Sequence, residues 1–239
     1  MIIVFGSKGV LGEAIANNLE QKKVPLLLTA FSRFRANKPT QDQALNINLE
    51  CDVTARKDVK KIFNYLKKNN LSLEGIINNF ANTYEDPDGS IISSDPRVAK
   101  VFDVNYFGFL NVMEECVNFL NTAPTQSIRI VNILSNSIRT LNASNHHYIA
   151  SKVAIESMSK SYSKKYSHQL SINNVAPGLM KSNITKNRFN KVEKLIISKT
   201  PHGKLASPID VAELISYLAL DSPLSLCGQT IYIDGGRTI

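Results

Sequence analysis

The sequence contains no tryptophan, only three cysteines in 239 residues, and no apolar run longer than a short strand. Cys51, Cys116 and Cys227 are far apart and form no C-x-x-C pair, so a thiolate metal site is not expected and buried thiols are. None of the four histidines (His146, His147, His168, His202) forms an i, i+4 pair with a neighbouring acid, and no metal is expected. The apolar start, Met1 to Phe5, stops at Gly6 with no basic segment before it. A leader peptide or membrane span is therefore not expected, nor contact with a membrane, and the reading is a cytoplasmic protein. No internal repeat and no Gly/Ser-rich or Pro-rich linker divides the chain, which reads as one domain over residues 1–239. Acids are fewer than bases, 20 against 28, leaving a net charge of +8. The cations are scattered and not interleaved with aromatics, which argues against a nucleic-acid partner. A phosphate-bearing cofactor or an acidic carrier is the better use of that charge.

What the chain does contain is alternation. Short apolar runs at 2–5, 26–30, 45–49, 75–78, 128–134, 171–176 and 230–233 are separated by helix-length amphipathic segments at 11–21, 56–69, 98–120, 145–166 and 208–220. That order predicts an α/β fold: a doubly wound, seven-stranded, mostly parallel sheet with helices on both faces. The irregular stretches 82–94 and 179–200 follow strands. They fall at the carboxyl edge of such a sheet, where substrate contacts gather.

The first strand runs into Gly6-Ser7-Lys8-Gly9-Val10-Leu11-Gly12 and then into a helix. Glycines allow a tight turn and close backbone approach to a pyrophosphate, and the helix start favours negative charge. After the second strand comes Phe31-Ser32-Arg33, with no acid to bind the ribose diol of NAD. Arg33 and Lys8 instead suit a 2′-phosphate, so NADPH (NADP+) is expected ahead of NADH.

Tyr148 and Lys152 are four residues apart, one turn along a helix face. A nearby ammonium is expected to lower the phenol's pKa and fit it for proton transfer. Ser135, at the end of a strand, can donate to a substrate oxygen as negative charge builds there.

Together with Cys51-Asp52-Val53, Ile77-Asn78-Asn79-Phe80-Ala81, Asn105-Tyr106-Phe107-Gly108, Asn173-Asn174-Val175-Ala176-Pro177-Gly178 and the closing Asp234-Gly235-Gly236, these motifs resemble the short-chain dehydrogenase/reductase family. The likeness is to its compact kind, which includes the 3-oxoacyl-acyl carrier protein reductases, and it runs over essentially the whole chain. It implies Tyr148 as general acid, Lys152 tuning it and binding the nicotinamide ribose, Ser135 orienting the carbonyl, and Asn105 holding a relay water. It also implies Asp52 and Val53 against adenine, Asn79 and Ala81 along the ribose, and Pro177, Gly178, Met180 and Ser182 closing over the nicotinamide.

Three departures stand out. The glycines fall at 6, 9 and 12, with Val10 where a middle glycine is expected; Phe80 adds bulk beside the cofactor; and Ser137-Ile138-Arg139 lacks a glycine. The implied function is reduction of a carbonyl, on a 3-oxoacyl thioester or a related small ketone, free or carrier-bound. Alcohol oxidation and a non-catalytic NADP sensor are the alternatives. The resemblance also implies a homotetramer or homodimer packed through two of the long helices and the C-terminal strand, with Phe107, Phe109, Met113 and Met158 as candidates for that face or for the core. Lys181, Lys186, Arg188, Lys191 and Lys194 suit an acidic carrier, or simply a solvated helix.

Overall fold

The computed structural model describes residues 1–31, 46–84, 86, 90–123, 125–141, 146–181 and 189–239, without the side chains of 189–192. Seven parallel strands form one sheet: β1 (Ile2–Phe5), β2 (Leu26–Ala30), β3 (Asn46–Glu50), β4 (Gly75–Asn78), β5 (Ile128–Ile133), β6 (Leu170–Pro177) and β7 (Thr230–Ile233), in the order β3-β2-β1-β4-β5-β6-β7. This is the doubly wound sheet expected from the alternation of strands and helices. β1, β2 and β4 are buried on both faces, which explains why they read as unbroken apolar runs. The β3 edge is half exposed and carries Asn46, Asn48 and Glu50, polar residues that discourage pairing with another chain.

The helices are α1 (Val10–Gln21), α2 (Arg56–Lys68), α3 (Pro96–Phe102), α4 (Gly108–Leu120), α5 (Ser137–Thr140), α6 (His146–Lys165), α7 (Phe189–Ser198) and α8 (Pro208–Leu220). On one face Ile2, Val4, Leu28 and Val131 pack with Ile15 and Leu19 of α1 and Val211 and Ile215 of α8. On the other, Ile3, Phe5 and Ile130 pack with Phe63 of α2, Phe109 and Met113 of α4 and Ile155 of α6. Phe109 and Met113, expected in a subunit face or the core, are therefore core. Phe107 is 52% exposed, and Met158 is half-buried against the core.

Two features differ from the sequence reading. The helix expected over 98–120 is interrupted by a π turn, Asp103–Phe107, joining α3 to α4. Within 179–200, read as irregular with a solvated helix as one account of its cations, lies the helix α7.

Inside the sheet, Asn78, Asn132 and Asn174 stand in register on β4, β5 and β6. Their amides bond along the row, Asn78 Nδ2 to Asn132 Oδ1 at 2.8 Å and Asn132 Nδ2 to Asn174 Oδ1 at 3.1 Å. Asn132 Nδ2 also donates to Ser159 Oγ at 3.0 Å and Asn174 Nδ2 to Thr230 Oγ1 at 3.3 Å, while Asn78 Oδ1 at the end of the row has no hydrogen-bond partner among the described residues.

The strand order reverses between β1 and β4, and a crevice opens at their carboxyl ends.

Candidate active site

The turn after β1 forms one end of that crevice. Gly6 has φ +80°, and a side chain there would come within 2.8 Å of the Phe80 main-chain nitrogen. A side chain at Gly12 would meet the Gly6 carbonyl oxygen and lie 2.7 Å from the Ser7 carbonyl carbon, so the first turn of α1 nests against the loop with no room for a methyl group. Gly12→Ala is expected to destabilise the chain by about 1–3 kcal/mol and to weaken dinucleotide binding at least tenfold, by thermal melting and fluorescence titration.

Gly9 is different: nothing in the protein lies within 4 Å of where its side chain would go, and the residue caps α1 without a side-chain bond. Its open flank faces the cleft. Free main-chain N–H groups at a helix start, next to open space, fit a pyrophosphate.

The cleft has a volume of about 740 Å³ and runs from this turn to the end of β6. Of the residues expected on the dinucleotide, Gly6, Lys8, Gly9, Leu11, Asp52, Val53, Asn79, Ala81, Tyr148, Lys152, Pro177, Gly178 and Met180 all line it. Ser7 and Gly12 do not. Ser7 is buried, and its N–H (3.0 Å) and Oγ (3.1 Å) both donate to the Thr29 carbonyl, leaving neither for a phosphate. Gly12 packs beneath the loop. Ser32, Arg33 and Ser182 lie outside the described residues, as do Lys186, Arg188 and the Lys191 side chain. Lys181 pairs with Glu193 at 3.3 Å.

Asn79 lines the cleft and also braces it, donating from Nδ2 to the Gly6 carbonyl at 2.8 Å. Asp52 accepts from the N–H and hydroxyl of Thr54 at 2.9 and 2.7 Å. Phe80, expected to add bulk beside the cofactor, turns its ring edge-on to Phe5, with centroids 6.4 Å apart. The same ring closes over Gly108, where a side chain would come within 3.2 Å of it. The ring is half-buried against the core and also lines the cleft.

At the other end, Ser135 leaves β5 while Tyr148 and Lys152 project from one face of α6 onto the cleft floor. Lys152 Nζ lies 5.8 Å from the centre of the Tyr148 ring and donates to the Ile133 carbonyl at 2.7 Å. Burial lowers the Lys152 pKa to about 7. It raises that of Tyr148 to about 12, against the pull of a hydrogen bond from Ser135. The direction is thus opposite to the expected lowering of the phenol pKa. Burial disfavours both charged forms, and a lysine whose pKa is about 7 is only about half protonated at neutral pH, which weakens its hold on a phenolate.

Asn105, in the π turn, is fully buried and stands off the cleft. Its Oδ1 accepts from the Asn82 N–H at 2.7 Å; its Nδ2 donates to the Asn82 carbonyl at 3.0 Å and to Ser151 Oγ at 2.9 Å. Ser151 Oγ passes the chain on to the Tyr148 carbonyl at 2.7 Å. The Asn105 carboxamide is therefore fully used in tying the 82–84 segment to the start of α6. Behind Lys152 is a cavity of about 10 Å³, lined in part by Asn78, Asn105, Asn132 and Lys152, room for a single water.

The sequence reading did not single out two further features. Tyr84, on the cleft wall, hydrogen-bonds Nδ1 of His147, the residue immediately before Tyr148. Ser137 bonds Ser135; a serine two residues after a strand-end serine was the one available signal. Among the described residues, no cluster of three metal-ligating side chains occurs and no helix is long and apolar enough to cross a membrane.

Comparison with known proteins gives a consistent answer. A family profile described as enoyl-(acyl carrier protein) reductase matches residues 6–238. The 3-oxoacyl-acyl-carrier-protein reductase FabG of Rickettsia conorii is 26% identical over 236 residues, 98% of this chain and 95% of the relative. The 7alpha-hydroxysteroid dehydrogenase of Bacteroides fragilis is 26% identical over 257 residues, covering 100% and 94%. Among solved structures, a short-chain dehydrogenase/reductase of the glucose/ribitol dehydrogenase kind from Brucella melitensis superposes with a TM-score of 0.88 at 21% identity, covering 100% of this chain and 96% of that one. With a profile that spans nearly every residue and a sheet that superposes over the whole chain, the protein belongs to the short-chain dehydrogenase/reductase family of oxidoreductases and is similar to its 3-oxoacyl-acyl-carrier-protein reductases.

Proposed function

We propose that the chain reduces a carbonyl group at the expense of NADPH, with Tyr148 as general acid. The observation that carries this reading is the convergence of Ser135, Tyr148 and Lys152 on one cleft floor, with burial holding the proton on the phenol. A phenol that keeps its proton suits delivery of that proton to a carbonyl oxygen. Alcohol oxidation would start from the phenolate, which the same burial disfavours.

When bound, NADPH supplies the hydride. The Gly6 to Leu11 turn would hold its pyrophosphate, Asp52 and Val53 its adenine, Asn79 and Ala81 its ribose, and Pro177, Gly178, Met180 and Ser182 its nicotinamide end. Lys8 and Arg33 would take the 2′-phosphate. Ser135 would orient the carbonyl, and Lys152 would hydrogen-bond the nicotinamide ribose. With its carboxamide already used, Asn105 would serve a relay through its main chain, by way of a water in the cavity behind Lys152.

The substrate reading is a 3-oxoacyl thioester or a related small ketone, free or carrier-bound, in keeping with what the Rickettsia relative is named for. A homo-oligomer assembled through the exposed Phe107 on the π turn and Val153 on α6 completes the proposal.

The test is a panel of carbonyls, including acetoacetyl-CoA, followed by NADPH consumption. Turnover on at least one member is expected, with KM for NADPH at least tenfold below that for NADH. Binding of NADPH without turnover on any of them would support a sensor instead, and equal KM values would refute the cofactor assignment.

A further inference from the structure

Ser135 has one proton and two lone pairs to distribute, and the neighbouring turn settles where they go. Ser137 opens α5 two residues later and aims two donors back at Ser135 Oγ: its hydroxyl at 2.7 Å and its main-chain N–H at 3.2 Å. The residue between them is anchored. Asn136 donates its N–H to the Pro177 carbonyl at 2.9 Å and its Nδ2 to Asp234 Oδ2 at 3.2 Å. Ser135 and Ser137 both line the cleft. With two lone pairs receiving bonds, the Ser135 proton has one direction left, toward the Tyr148 phenol oxygen.

The geometry points to Ser137 as a positioning residue, resting on the carbonyl-reductase reading above: it orients and polarises the Ser135 hydroxyl so that its proton meets the oxygen on which charge develops. Two mechanisms act in the same sense. A hydroxyl free to rotate spends part of its time aimed elsewhere, and a preorganised one does not. An oxygen that accepts two hydrogen bonds is also a stronger donor through its own proton, because hydrogen bonds in a chain polarise one another in a low-dielectric site. Ser137 would touch neither the dinucleotide nor the reacting carbon in this role; its effect passes through Ser135.

A double-mutant cycle isolates that dependence. NADPH consumption would be measured on whichever carbonyl of the panel is turned over fastest, for the parent and for Ser137→Ala, Ser135→Ala and the double variant. Ser137→Ala is expected to lower kcat about tenfold with KM for NADPH unchanged, and to cost nothing further when Ser135 is already alanine. A second pair guards against a folding artefact: Ser137→Thr keeps the hydroxyl and should keep the rate, while Ser137→Val, of nearly the same shape, should lose it, at matched melting temperatures.

Parent-like kcat in Ser137→Ala, or losses that multiply in full in the double variant, would overturn the assignment. Failure of the underlying reading looks different: no carbonyl is turned over, or Tyr148→Phe stays active, whatever residue 137 is.

Discussion

Tyr148→Phe should retain dinucleotide binding and lose turnover by roughly 10²–10⁴, the usual worth of a positioned proton donor. The substitution removes one oxygen from a half-buried ring, and nothing in the sheet or the glycine turn rests on that oxygen. What disappears is the phenol oxygen that Ser135 engages. The measurement is kcat beside a fluorescence titration with NADPH. A variant as active as the parent would remove Tyr148 from the chemistry and leave the cleft as a nucleotide site alone.

Lys152→Met should abolish most turnover and, unusually for an active-site substitution, raise the melting temperature. The Lys152 side chain is 2% exposed, its nitrogen bonds the Ile133 carbonyl, and burial lowers its pKa from 10.5 to about 7. In the unfolded chain the amine stays protonated up to its ordinary pKa. Below about pH 7 the fold must therefore bury an ammonium, and the whole penalty is present. Between about 7 and 10.5 the folded chain binds fewer protons than the unfolded one, so the penalty shrinks as pH rises and is gone above that range. At about 1.4 kcal/mol per pKa unit, less about 1 kcal/mol for the hydrogen bond lost at Ile133, a methionine of similar length should stabilise the chain by a few kcal/mol at pH 6. For a chain of this size that is on the order of 5–10 °C. Melting curves of both proteins at pH 6 and pH 10 check it: the gain should be large at the first and small at the second. A gain that grows with pH would mean the amine is stabilised as a cation by contacts in the fold.

Much of the architecture was legible because both faces of a parallel sheet demand apolar residues. The bounds of β1, β2, β4 and β7 could be read directly from short runs closed by Gly, Pro or polar residues. The Tyr148 and Lys152 pair was legible for a related reason: a spacing of four has one geometric meaning on a helix. The π turn was not, since one extra residue in a helical coil leaves the apolar periodicity nearly intact on either side. Helix α7 was half legible: its lysines suited a solvated helix, but the bounds were lost in a stretch otherwise read as irregular. The glycine turn was readable as a turn, but not for which of its N–H groups face outward. That depends on the Thr29 carbonyl, which claims Ser7. The pKa reversal at Tyr148 was the deepest miss. Proximity of an amine can be counted along the chain, whereas burial depends on the residues that pack around it.

The row Asn78, Asn132 and Asn174 bears on how this sheet chooses its alignment. Strands coated with valine and isoleucine on both sides lose little contact if one slides past its neighbour by two positions, so greasy patterning alone is a poor ruler. A carboxamide dragged out of line would find hydrocarbon where its partner had been and pay for stranded polar atoms. The three amides therefore act as index marks, holding the floor that carries residues 135, 148 and 152 at a single height above the crevice.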